Sequence, residues 1–342
     1  LCFLLLAALS AHAAEGSTFT VESGGIRISI TQPWSLSTRA LIGQLDYVLS
    51  LKLYDDEEGV IAGGGVVSVF PYQDDPYPDR EELRRMDTEA LTTLVAYYHE
   101  YYLKFPPEDE ADPPVVEEIN GVTGVVVRKK KDTEGASAKD FSARYYFSFK
   151  NKFVYLGADV IGDDAAGELF KRIFASFVPQ TSSPADMTTV HSDGMGLSCP
   201  RSWPVAVGGS ISDPTWAMLA KEDENEDTIA KVTVFQPVAA GNVPTGMEER
   251  LRAAYSILET NSPTKSITPL GVQQTTAGDF PATLTRVRVA VESESKKTML
   301  VELRDIAVGD TIVTMVTTYA NKPSKETEKE LEAVYASFTW AP

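Results

Sequence analysis

The sequence predicts an α+β protein made of two copies of one domain, each a mainly antiparallel sheet with helices packed on it. Three observations predict this. A glycine-led strand ending at tryptophan occurs near the start and again halfway along the chain. Each occurrence is followed by strands, a helix, more strands and a last helix, an order that suits sheet-and-helix layers and not an alternating βαβ fold. Each copy then closes on an aromatic-Ala-Ser-Phe tail, Phe174-Ala175-Ser176-Phe177 and Tyr335-Ala336-Ser337-Phe338.

The chain opens with Leu1 to Ala14, which holds no charged residue and runs through an apolar stretch to Ala11-His12-Ala13. That pattern is expected of a signal peptide's apolar core and cleavage site, so residues 1–14 are assigned as a signal peptide and the protein as periplasmic or secreted. The stretch is shorter than the roughly 20 apolar residues a membrane span needs, and no span is expected elsewhere.

The first domain is placed at 15–180, a linker at 181–192 and the second domain at 193–342. Gly25-Ile26-Arg27-Ile28-Ser29-Ile30-Thr31-Gln32-Pro33-Trp34 matches Gly194-Met195-Gly196-Leu197-Ser198-Cys199-Pro200-Arg201-Ser202-Trp203 at a constant offset. Trp34 and Trp203 are equivalent in the repeat, which favours core packing for both. Strands over Val60–Phe70 and Thr228–Phe235 follow, and each leads through a proline-bearing loop to a capping box: Asp79 with Glu82, and Thr245 with Glu248. In the first copy a single helix carries Leu83, Ala90, Leu91, Leu94, Tyr98, Tyr101, Tyr102 and Phe105 on one apolar face. In the second the shorter set is Leu251, Ala254, Tyr255 and Leu258.

Hairpins are signalled at Asn120-Gly121, Lys150-Asn151, Gly278-Asp279 and Gly309-Asp310. The last helix of each copy is expected to start at Asp163 or Ser324.

Charge and chemistry narrow the function classes. A formal net charge of −18 repels nucleic-acid phosphates and anionic membranes. Without the signal segment Cys199 is the remaining cysteine, expected buried as a small hydrophobe. His99 and His191 are the histidines left, and no serine stands in a nucleophile elbow. The acidic runs Asp55–Glu58, Asp74-Asp75, Glu108–Asp112 and Glu222–Asp227 lack the alternate spacing of a calcium loop and suit solvated turns. Gly63-Gly64-Gly65 lacks the Lys and Ser or Thr of a phosphate loop and suits a bulge or a close backbone approach. The run Arg128–Lys131 suits a solvated strand end. No catalytic, cofactor-binding or metal-ligating set is therefore assigned, and no cofactor is expected.

The loop Phe70–Pro78 is the surface segment singled out for partner binding, through Tyr72, Asp74, Asp75 and Tyr77, because its prolines reduce the entropy lost on ordering. The expected function is a non-enzymatic binding or assembly module for a protein or envelope component, with oligomeric state open. The alternative is a hydrolase-type enzyme with a carboxylate site between the domains.

The glycine-led strand into Pro200 and Trp203, the capped helix, the two hairpins and the aromatic-Ala-Ser-Phe tail together resemble the PsbP-like fold. That family includes the oxygen-evolving extrinsic subunit of photosystem II, a Ran-binding import factor and many bacterial exported proteins. The resemblance implies two tandem α/β/α sandwiches serving in binding or assembly. The first copy departs from the pattern with Thr31 where the second has Pro200.

Overall fold

The computed structural model describes residues 17–31, 34–39, 47–54, 61–71, 77–103, 112–128, 141–149, 152–160, 172–179, 186–208, 215–243, 264–291 and 298–341. The signal segment, the second-copy helix expected around Leu251 and the start of the helix expected at Asp163 lie outside them. The chain divides into two compact units, Thr18–Met187 and Thr188–Pro342.

In the first unit β1 (Thr18–Ser23), β2 (Ile26–Thr31), β3 (Trp34–Arg39), β4 (Tyr47–Tyr54) and β5 (Ile61–Pro71) come first. Helices α1 (Arg80–Arg85) and α2 (Thr88–Tyr98) follow, with a π-helical turn over His99–Leu103. Then come β6 (Val115–Ile119), β7 (Val122–Arg128), β8 (Phe141–Phe149), β9 (Lys152–Val160) and β10 (Val178–Pro179). A large antiparallel sheet has the order β3-β4-β5-β9-β8-β7-β6, and a small one the order β10-β2-β1.

The second unit holds β11 (Met187–Ser192), β12 (Met195–Pro200), β13 (Val205–Val207), β14 (Thr215–Glu222), β15 (Thr228–Phe235), β16 (Val238–Ala239) and β17 (Thr264–Ala277). These lead to β18 (Phe280–Val291), β19 (Thr298–Val308), β20 (Thr311–Tyr319), α3 (Lys325–Ala336) and β21 (Thr339–Trp340). Its large sheet runs β13-β14-β15-β20-β19-β18-β17, with β16 on β20, and its small sheet runs β11-β12-β21. Leaving out β16, both large sheets follow one course: three strands in sequence, then a jump to the last strand and a return to the edge. The segment after the third strand must therefore carry the chain from mid-sheet to the far edge, and in the first unit α1 and α2 lie on that connection.

The expected α/β/α sandwich is corrected here. Antiparallel strand dominates the described residues, and the helices are few and short. The described residues of each unit go mostly into strands, seven and three in the two sheets of the first unit and eight and three in those of the second. Strands such as β18 and β19, with 12 and 11 residues, take up β-branched runs and pair on both sides within the sheet.

Local chemistry explains where elements begin and turn. Asp79 accepts from the amides of Glu81 and Glu82 at 2.8 and 2.9 Å, and its own amide donates to Glu82 at 3.0 Å, a full capping box. The single helix expected to run on from it is two helices. Met86 turns extended, and Asp87 caps a second start by accepting from the Ala90 amide at 2.9 Å. Ser324 caps α3 through the Thr327 amide at 3.1 Å. At Asn120-Gly121 both residues have positive φ, 47° and 80°, the conformation a two-residue type I′ hairpin requires.

Beneath α1 and α2 the sheet face carries Val125, Val127, Tyr146, Phe153 and Tyr155, packed against Leu83, Leu91, Val95 and Tyr98. In the second unit Val287, Val289, Val301, Leu303 and Val316 form a cluster on one sheet face. Trp34, Trp203 and Cys199 are buried.

The aromatic-Ala-Ser-Phe tails have a common physical role. Ser176 Oγ accepts from the Ser29 amide at 2.8 Å and stands 2.9 Å from the Ser29 carbonyl and 2.6 Å from that of Ile173. Ser337 Oγ does the same at Ser198, at 2.8 and 3.0 Å, with Val334 O at 2.6 Å. One hydroxyl thus takes the place of a neighbouring strand at the middle of the glycine-led strand.

Candidate functional site

The residues singled out by sequence do not assemble into a site among the described residues. Tyr77 is a core residue: its hydroxyl donates to the Tyr146 carbonyl at 2.7 Å, and its ring lies 5.2 Å from Tyr98 and 6.0 Å from Phe153. Tyr72, Asp74 and Asp75 lie outside the described residues, as do the acidic runs at 55–58 and 108–111. The run Glu222–Asp227 forms a closed turn, with Asp223 accepting from the amides of Asn225 and Asp227 at 2.9 and 3.0 Å. Gly64 sits in the paired interior of β5, where an added Cβ would make only ordinary contact with Leu51 O at 3.5 Å. Arg128 binds Glu117 with both carboxylate oxygens, at 2.7 and 2.9 Å.

His99 is buried at the start of the π-helical turn, its Nδ1 2.7 Å from the Tyr146 hydroxyl. Burial pushes the Cys199 thiol far up, so it stays protonated. No group of three His, Cys, Asp or Glu among the described residues is placed to hold a metal ion.

The feature that sequence reasoning missed is the ribbon of β17 and β18. Strand β17 ends its sheet, hydrogen-bonded among the described residues to β18 alone. Ser266, residues 268–274 and Thr276 are exposed, with Leu270 and Val272 at 46% and 60%. A long, regular edge with unpaired amides and carbonyls is a template for another strand, and most proteins blunt such edges with charge. Here the strand Thr264–Ala277 holds Lys265 as its charged residue. Its relief is Pro269, which has no amide to offer, with bulges between Thr264 and Ser266 and between Pro269 and Gly271, after which pairing with β18 is regular to Ala277.

A buried polar network fixes the end of this ribbon. Arg304 on β19 is 2% exposed and reaches Thr276 O at 2.7 Å and Thr275 Oγ1 at 3.4 Å on β17. It also donates to Glu332 of α3 at 3.0 Å, and its guanidinium lies 3.8 Å from the centroid of the Tyr335 ring. Beside it Glu302 accepts from Arg286 Nε at 2.6 Å and from the Tyr319 hydroxyl at 2.9 Å. Burial, with the neighbouring Tyr335 and the Glu302 charge, pushes the Tyr319 phenol up strongly; burial also raises Tyr335 to about 12, against a hydrogen bond from Thr317. Both phenols therefore stay protonated near neutral pH, which suits anchoring. The hairpin turn docks too: the Gly278 amide donates to Tyr335 O at 3.0 Å, and the Phe280 and Phe338 rings meet edge-on at 5.7 Å.

The first unit carries a different chemistry at the same place. Tyr145 stands four residues before the end of β8, as Arg304 does in β19, and it packs its ring 4.9 Å from Phe174 of the closing tail. An apolar pair there corresponds to a cation over a ring in the second unit.

No protein-family model matches the chain, and no curated protein matches it. Among solved structures, the cyanobacterial PsbP (CyanoP) of Synechocystis sp. PCC 6803 aligns at 12% identity over 47% of this chain and 92% of that one, with a TM-score of 0.31. The immunity protein TplEi of T6SS from Pseudomonas aeruginosa aligns at 10% identity over 95% of this chain and 97% of its own, also at 0.31. Likeness at this level assigns the chain to neither protein's family.

Proposed function

We propose that this protein is an exported, non-enzymatic binding or assembly module, built by duplication of a PsbP-like domain, whose binding surface is the edge of β17 that no other described strand pairs. The observation that carries the reading is the 14-residue edge strand, exposed along most of its length and fixed at one end by Arg304 and α3. An anchored edge loses little conformational entropy when a partner strand pairs with it. Duplication is supported by the shared course of the two large sheets and by the matching serine contacts at Ser29 and Ser198. Arg304 and Glu302 are each engaged by neighbouring side chains, Glu332 for the one and Arg286 and Tyr319 for the other, which supports a structural use for them over a chemical one.

The test places a photo-crosslinking amino acid at Val272 in the cell that makes the protein, with Glu328 on the exposed side of α3 as control. Discrete adducts from Val272 and none from Glu328 are expected. No adduct from Val272, or the same adducts from both positions, would remove the support for this surface.

A further inference from the structure

The ribbon also indicates what kind of strand fits it. We propose that the β17 edge takes an extended segment of another protein with alternating apolar and acidic side chains, an inference that rests on the binding edge proposed above.

One face of the ribbon is basic. Arg286 and Arg288 stand two residues apart on β18 and so point to the same face. Both are exposed, and although Arg286 holds Glu302, Arg288 has no hydrogen-bond or ion-pair partner among the described residues. Opposite Arg286 on β17 is Gly271, where an added Cβ would meet nothing within 4 Å. Arg288, the guanidinium not engaged by Glu302, lies opposite the exposed Thr268, so its path to the edge passes over one short side chain. An incoming strand would lie two strand spacings from β18, about 10 Å, and Arg288 and a glutamate leaning toward each other span that distance over Thr268.

The other face of the edge is apolar. Val272 pairs with Thr285, whose side chain is buried, and Ile267 packs against the cluster of Val287, Val289 and Val301. A strand laid along β17 would place alternate residues on these two faces, apolar beside Val272 and Ile267, acidic beside Arg288. A second copy of this chain does not fit as well, because Thr264–Ala277 contains no carboxylate to offer Arg288. The net charge of −18 does not forbid an acidic segment, since distant surface charges are screened within about 8 Å at physiological salt.

The test uses the full chain and three fluorescein-labelled, end-blocked decapeptides. One alternates Val and Glu, one alternates Val and Lys, and one is the Val-Glu peptide with alternate backbone amides methylated. Binding is followed by fluorescence anisotropy at physiological salt, with sedimentation of the chain alone. The Val-Glu peptide is expected to bind at least about ten-fold tighter than the Val-Lys peptide, and methylation to abolish binding. Arg288→Glu should reverse the preference, and Val272→Asp should weaken both peptides; both positions are exposed, and circular dichroism checks folding. Equal or tighter binding of Val-Lys, or indifference to Arg288→Glu, overturns the acidic assignment while leaving a binding edge in place. Failure of all peptides overturns the edge itself, and a dimer that Val272→Asp dissolves gives the edge to a second copy instead.

Discussion

Removing a single hydroxyl, in Ser337→Ala, tests how the glycine-led strand is held. Ser337 Oγ accepts the Ser198 amide at 2.8 Å and lies 3.0 Å from the Ser198 carbonyl, so alanine leaves a part-buried donor and acceptor without that partner. A lost net hydrogen bond costs about 0.5–1.5 kcal/mol, and an unsatisfied buried group about 1–3 kcal/mol. Water reaching a part-buried site offsets some of this, so the expected loss is about 2 kcal/mol. For a unit the size of Thr188–Pro342 that is a drop of about 4–8 °C in Tm. Ser176→Ala removes the same contacts at Ser29 and should cost a similar amount in the other unit. Differential scanning calorimetry should show each substitution lowering one transition and leaving the other within error. A loss below about 0.5 kcal/mol for both variants, or a shift of the same transition by both, would refute the claim that these hydroxyls stand in for a strand.

Three further outcomes are expected. Gly278→Ala should cost at least about 3 kcal/mol by urea denaturation, because φ is +53° and the new Cβ would lie 2.0 Å from Phe338 O; Gly309→Ala, at φ +63° with open space around it, should cost only about 1–2 kcal/mol. Arg304→Met gives up the bond to Thr276 O and the stack on Tyr335 but also relieves the burial of a charge, so a net loss of about 1–2 kcal/mol is expected, with faster amide exchange at Thr275–Ala277. The raised Cys199, Tyr319 and Tyr335 bind protons in the folded chain that the unfolded chain releases at its ordinary values near 9 to 10. Their contribution is complete below those values and is lost as pH rises above them, by about 1.4 kcal/mol per pH unit for each group. Tyr319→Phe should flatten the alkaline decline, followed by denaturation from pH 9 to 11, by one such slope.

Much of the local structure was legible because single residues dictate it. Asn120-Gly121, Gly278-Asp279 and Gly309-Asp310 stand at the hairpin turns, and Asp79 and Ser324 cap the helices they precede. Trp34 and Cys199 are in the core, as apolar or small residues on alternating strands should be, and Trp203 is buried from the turn that follows Pro200. The break at Asp87 was hidden, since the apolar spacing runs on through a residue that caps a new helix. The layer architecture was misjudged because alternation tells which residues are inside but not whether a helix or another strand covers them. The edge of β17 was not legible at all: Leu270 and Val272 look like core residues, and only the order of the sheet, which comes from residues far along the chain, leaves them uncovered. Arg304 is the converse, a charged residue in an alternating run that becomes buried once α3 lies over it.

The contrast between Tyr145 against Phe174 and Arg304 over Tyr335 bears on how the two halves can exchange material. Where similar stretches of coding sequence lie side by side, recombination can join the front of one to the back of the other. A hybrid with Arg304 facing Phe174 would bury a guanidinium with no Glu332 beside it, while the reverse hybrid would leave Glu332, already largely in water, without its cation. The first product would carry an uncompensated buried charge and fold poorly, so the mismatch weighs against joining the front of the second half to the closing tail of the first.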